Sequence, residues 1–270
     1  MQGVEFLEPV LIGLAVGLVV GALGAGGGIL SVPILVYLLH QEPHNAAASS
    51  LVIVGFTACT SLIYPLRRGL IPWARSLAFG GVAVVGSLLG SRLSLLVDGT
   101  LLMLLFGGLL SVVAVAMAAQ GVHNRRQENS GDHSDEPLTL PSPSARLWVK
   151  TVAVGLATGL LTGFFGVGGG FIVVPLLVLV LRVPMRRATA MSLVAMILAS
   201  MAGLVGRIGT DVAIDWPLTL LFTAGSAVGG VLGGPLAARA RPSTLTLVFA
   251  ALLAGVAVVT LVNTLGGAPA

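Results

Sequence analysis

The charges divide this chain. Eight stretches hold no Asp, Glu, Lys or Arg: residues 9–41, 43–66, 76–91, 99–124, 151–181, 188–206, 216–238 and 242–270. A helix needs about 20 apolar residues to cross the hydrocarbon core of a bilayer, and most of these stretches are that long. The run 76–91 is shorter, but Arg92 can snorkel and let the helix continue towards Val97. Of the 270 residues, 56% are hydrophobic and only 9% are charged, whereas a water-facing surface needs roughly 25% charge. A soluble enzyme, a disordered chain and a secreted disulfide scaffold are thereby excluded. The fold class is an all-α integral membrane protein. Cys59 is the only cysteine, so no internal disulfide or cysteine metal cluster can form. The net charge of +4 does not imply nucleic acid, because the basic residues stand at the edges of apolar runs, where they set membrane orientation. The partner they imply is the lipid bilayer. Glu5 and Glu8, with no Lys or Arg beside them, argue against a cleaved signal peptide, whose first region is basic.

Two runs, 9–41 and 151–181, are too long for one ordinary span, and each has a glycine cluster in its middle. They open two copies of one pattern. A shift of 142 residues lays Gly13, Gly17, Gly21 and Gly24 on Gly155, Gly159, Gly163 and Gly166. It also lays Gly26, Gly27 and Gly28 on Gly168, Gly169 and Gly170, and Pro33 on Pro175. Ala46, Ala48, Ser50 and Leu51 fall on Ala188, Ala190, Ser192 and Leu193. After one inserted residue, Trp73 meets Trp216 and Gly90 meets Gly233. The chain therefore divides into a first membrane repeat (1–119), a polar linker (120–146) and a second membrane repeat (147–270). The linker is rich in charge, Ser and Pro, which suits a segment outside the membrane. His123 and His133 lie in it without ligand-like spacing, so neither metal nor cofactor is expected.

The long runs can be threaded in two ways. As single spans they give eight crossings and two halves of the same orientation, with eight basic residues on one side and six on the other. If instead each run enters, bends at its glycines and returns, each half has a re-entrant hairpin and three spans, and the halves are inverted. Arg67, Arg68, Arg75, Arg125, Arg126, Arg146, Lys150, Arg182, Arg186, Arg187, Arg239 and Arg241 then share one side, and Arg92 and Arg207 alone take the other. The positive-inside rule favours this inverted reading, with a cytoplasmic linker and both termini outside. Arms over 10–23 and 29–39 would rise about 20 Å and 16 Å, each to about the midplane. Inverted repeats with broken helices are a recurring transporter plan.

Irregular backbone at membrane depth must be buried in protein or line a cavity. The helices that follow the clusters would begin near Gly28 and Gly170 and present free N–H groups and partial positive charge. Gly26, Gly27 and Gly28 facing Gly168, Gly169 and Gly170 at one depth would make an uncharged site for a small anion. Asn45, Ser49, Ser50, Thr189 and Ser192 follow closely and offer side-chain donors; interhelical hydrogen bonding explains them equally well. Gly13, Gly17 and Gly21, with Gly155, Gly159 and Gly163, recur every four residues, the spacing that brings membrane helices together. Snorkelling accounts for Arg92 and Arg207 near their helix ends, and attraction of anions is the second reading. No Asp or Glu falls inside an expected span, and a proton- or cation-coupled carrier usually keeps a buried carboxylate. A membrane hydrolase would need a triad or metal cluster, and none can be assembled.

The doubled G-x-G-G-G clusters, each followed by Pro33 or Pro175, and the starts NAAASSL (45–51) and RATAMSL (187–193) resemble the sulfite exporter TauE/SafE family over nearly the whole chain except the linker. In this chain His44 is followed by Asn45 and Ala46, and Ser49–Ser50–Leu51 and Met191–Ser192–Leu193 stand where the family often has Thr–Ser–Leu. The resemblance implies a carrier, not an enzyme, that exports sulfite or an organosulfonate across the bacterial inner membrane. Carriage of another solute, such as an imported inorganic sulfur anion or a metal ion, and a non-transporting scaffold or sensor are the alternatives. Association with further copies of the chain is left open.

Overall fold

A computed structural model describes residues 2–23, 28–129, 145–167, 170–210, 212–237, 240 and 242–266. Eleven helices are found among them: α1 (Gln2–Leu23), α2 (Gly28–Pro33), α3 (Pro43–Ser61), α4 (Ile63–Arg67), α5 (Trp73–Ser94), α6 (Gly99–Asn129), α7 (Ala145–Phe165), α8 (Gly170–Leu179), α9 (Met185–Gly206), α10 (Trp216–Ala237) and α11 (Pro242–Leu265). Seven segments are long and apolar enough to cross a membrane, so the protein is a multi-pass membrane protein. Its outer faces are apolar, with Leu11, Phe56, Val112, Val115, Val258 and Val262 exposed. Trp73, Trp148 and Trp216 are exposed near the first turns of their helices, where an amphipathic ring suits the membrane–water boundary.

Prolines set several boundaries. Pro43 stands in the first turn of α3, where its missing N–H costs nothing and its fixed φ is already helical. Pro33 ends α2. It cannot supply the next intrahelical hydrogen bond, and the chain widens into a π-helical turn at Ile34–Leu38. The exit from this arm is repeated in the second half, residue for residue at the shift of 142. His40 and Arg182 both adopt positive φ, 52° and 51°. The Gln41 amide bonds the Leu35 carbonyl at 2.8 Å and the Val183 amide the Leu177 carbonyl at 2.9 Å.

Packing follows the small residues. Gly13, Gly17 and Gly21 of α1 abut the backbone of Phe222, Ser226 and Gly230 of α10, so these helices run parallel. Gly155, Gly159 and Gly163 of α7 abut Phe79, Ala83 and Ser87 of α5 in the same way. A Cβ at Gly17 or Gly159 would overlap a carbonyl of the facing helix, so these stripes are close-packing devices. Ser226 adds a hydrogen bond to the Gly13 carbonyl at 3.0 Å. The remaining pairs run the other way. Gly55 of α3 lies near Ser200 of α9, while Gly203 lies near Leu51, so α3 and α9 are antiparallel. Gly107 and Gly121 of α6 meet Leu261 and Leu247 of α11, and these are antiparallel too.

These directions gather Arg67, Arg68, Arg75, Arg125, Lys150, Arg182, Arg186 and Arg187 at one end of the bundle, and Arg92 and Arg207 at the other. The first arm and its return have the expected extents, since its apolar part, Glu8–Leu23, and Ile29–Leu38 are both too short to cross. The second half departs from the expectation: Trp148–Phe165 of α7 is long and apolar enough to cross and is not a half-helix. The linker expected over 120–146 begins as helix, because α6 continues to Asn129 and α7 starts at Ala145.

Candidate functional site

The glycine clusters fall partly outside the described residues: Gly26, Gly27, Gly168 and Gly169 are not among them. Gly28 opens α2 and Gly170 opens α8. The first arms end at opposite ends of the bundle rather than at one depth. Gly21 and Ala22, at the end of α1, share a cavity with Tyr64, Arg186 and Thr189 at the arginine-rich end. Gly166, just after α7, packs on Ala47 near the start of α3, close to where the Asn45 side chain holds Ala213. The physical reason is packing: the glycine stripes hold α1 along α10 as far as Gly230 and α7 along α5 as far as Ser87. The short second arms then turn back. α2 and its π turn run beside α11 until the Tyr37 hydroxyl reaches Thr264 Oγ1 at 2.6 Å. α2 and α8 pack against each other, so what the two halves bring together is their broken second arms.

The side chains expected around this region divide into three groups. Ser49 is fully buried, and its Oγ has no hydrogen-bond partner. Ser50 is also buried and donates to the Gly166 carbonyl at 2.7 Å, tying α3 of one half to the bend of the other. Gly166 has φ +68°, and Ala47 lies so close that no Cβ fits; both facts require glycine there. Asn45 Oδ1 accepts from the Ala213 amide at 3.0 Å and is a surface tie. Thr189 donates to the Met185 carbonyl at 2.9 Å and Ser192 to the Thr189 carbonyl at 2.7 Å, both within α9. Thr189 nevertheless lines the cavity of about 70 Å³ at the arginine-rich end, beside Arg186.

The sequence reading missed Ser31. It is the hydroxyl residue of α2, fully buried with an unpartnered Oγ. A buried polar atom without a partner costs about 1–3 kcal/mol, so a hydroxyl in so apolar a helix was a signal that could have been used. Asp98 and Asp215 have structural roles: their carboxylates accept from the amides of Thr100 and Leu218 and cap α6 and α10.

A family model described as sulfite exporter TauE/SafE matches residues 10–260. A protein of Xylella fastidiosa strain 9a5c described as a probable membrane transporter protein is 35% identical over 246 residues, 90% of each chain. The probable membrane transporter protein YunE of Bacillus subtilis is 26% identical, covering 92% of this chain and 94% of its own. MJ0441 of Methanocaldococcus jannaschii, described in the same words, is 25% identical over 90% of this chain and 91% of its own. No solved structure matches.

Proposed function

The chain belongs to the sulfite exporter TauE/SafE family of membrane transporters, and from that premise we propose that it exports a small sulfur oxyanion, sulfite or an organosulfonate, across the bacterial inner membrane. The observation that carries this reading is the opposed direction of counterpart helices, α3 against α9 and α6 against α11, with the broken arms α2 and α8 meeting between them. Two halves of one orientation would set those pairs parallel. Opposed halves that exchange roles give a carrier two equivalent ways to open. The arginine-rich end faces the cytoplasm by the positive-inside rule, and both termini lie outside.

The anion is held where each second arm begins, at two places that the opposed arms keep apart: N–H groups at Gly26, Gly27 and Gly28 serve one, and those at Gly168, Gly169 and Gly170 the other. Ser31 of α2 and Ser49 of α3, buried and unpartnered, supply hydroxyl donors, and Ser50 keeps the Gly166 bend in place. Donors of this kind hold an anion without a fixed cation that would retain it. The transport step needs no dedicated carboxylate, because moving one negative charge out of a negative-inside cell is favoured by about 2.3 kcal/mol per 100 mV.

Purified wild type and the variants Gly27→Val and Gly169→Val are compared in vesicles for binding and flux of sulfite, sulfoacetate and taurine. The expected result is sharply reduced binding and flux in both variants, with normal membrane insertion because the spans are untouched. Wild-type affinity and flux in both variants would remove the glycine bends from the site.

A further inference from the structure

Arg207 follows the last turn of α9 at the end of the bundle that has few charges. It does not snorkel: only 6% of it is exposed. Nη2 makes two long hydrogen bonds, 3.3 Å to the Gly163 carbonyl of α7 and 3.4 Å to Ser94 Oγ of α5. Nε and Nη1, which carry three of the five guanidinium N–H donors, have no partner. No carboxylate among the described residues pairs with it. Arg92, the nearest other cation in sequence order on this face, is exposed and donates to the Ile208 carbonyl at 3.5 Å.

A buried guanidinium without a counterion is costly, and such residues in membrane proteins mark ion pathways. The pseudo-symmetric position sharpens the point. The repeat shift, 142 for Gly163 and 143 with the inserted residue for Ser91, Ser94 and Arg207, carries them onto Gly21, Gly234, Ala237 and Tyr64. All four of those residues line the cavity at the arginine-rich end. What is open space in one half is occupied by a guanidinium in the other.

We propose that Arg207 binds the carried oxyanion on the outward side, as a further site between the glycine-cluster sites and the medium. This rests on the oxyanion-carrier reading above. An arriving anion neutralises the guanidinium and takes its free N–H donors in charge-assisted hydrogen bonds. The contact to the Gly163 carbonyl places the residue beside the end of α7, where the bend to α8 begins. The one-sided placement gives the two halves different affinities on the two faces of the membrane.

The test measures flux of sulfite and sulfoacetate with the full chain in phosphatidylcholine vesicles, which offer no anionic headgroup. Substrate is supplied in turn from the outer and from the cytoplasmic face, to wild type, R207K and R207Q. R207Q is expected to raise the outer-side KM at least tenfold and to leave the cytoplasmic-side KM within twofold. R207K, which keeps the charge but not the planar donor set, is expected to raise the outer-side KM severalfold. Unchanged outer-side values, or equal changes on both faces, overturn the proposal and leave Arg207 a structural tie. If R207Q does not fold, an R207K protein with wild-type outer-side KM overturns it equally. A wild type that moves neither anion from either face sinks the carrier reading itself, and this proposal with it.

Discussion

Gly17 and Gly255 are both glycines in long apolar helices, yet the structure gives them opposite tolerance. A Cβ at Gly17 would overlap the Ser226 carbonyl, and one at Gly255 would meet nothing within 4 Å. Overpacking against backbone costs about 1–3 kcal/mol, whereas an exposed helical Gly→Ala change removes a propensity cost of about 1 kcal/mol. Gly17→Ala should therefore lower the melting temperature of the detergent-solubilised protein by several degrees, and Gly255→Ala should keep or raise it. Equal melting of both variants would refute the packing role of the stripe. Ser50 makes a different prediction. Its bond to the Gly166 carbonyl is buried at 2.7 Å, and a bond of this kind contributes about 1 kcal/mol. Ser50→Ala should lose about that much stability and also slow sulfite flux in vesicles, because the bend it holds leads into α8. A variant that melts earlier with wild-type flux would confine Ser50 to stability.

At the scale of elements, the broken arms decide the topology. The connection from α4 to α5 and the connection from α9 to α10 are counterparts in the two repeats. Halves of the same orientation would put both on one face; opposed halves separate them. Arg68 and Ile208 are exposed in these connections. In a Cys59→Ser background, which removes the single native cysteine, Ile208→Cys should react with a membrane-impermeant maleimide in intact cells. Arg68→Cys should react only after the cells are opened. Labelling of both in intact cells, or of neither until the cells are opened, would restore the eight-span alternative. The arms were legible in the sequence as glycine-interrupted runs, and their equivalence was legible in the shift of 142. So was the place where the first arm stops, because α1 ends at Leu23 and its return covers Gly28–Leu38. The level they reach was not legible, since only the contacts of Gly13, Gly17 and Gly21 with α10 set how far α1 runs along its neighbour.

Across the whole molecule, charge and potential give the remaining prediction. If the arginine-rich end is cytoplasmic and an anion leaves, efflux should accelerate with an inside-negative potential in vesicles of matched orientation. An added 100 mV contributes about 2.3 kcal/mol per elementary charge moved. A dianion would gain about twice that. Efflux that ignores the potential but stops when a proton or sodium gradient is removed would refute this energetics. A reporter fused after Ala270 that is active only in the cytoplasm would refute the orientation.

The amino-acid sequence by itself determined that the protein lives in a bilayer, because nothing else can surround so many apolar residues with so few charges. It also determined the repeat and the family, since both are patterns of residue type along the chain. The tertiary structure alone decided which backbones the glycines touch, in which direction counterpart helices run, and that α1 and α7 end on opposite sides of the bundle. It alone decided that Arg207 is buried rather than snorkelled, and that Ser31 and Ser49 lack partners. Those properties depend on distances between segments far apart in sequence. Composition and periodicity fix what each helix needs around it, but only the packed bundle determines which neighbour supplies it and which polar groups are left for a ligand.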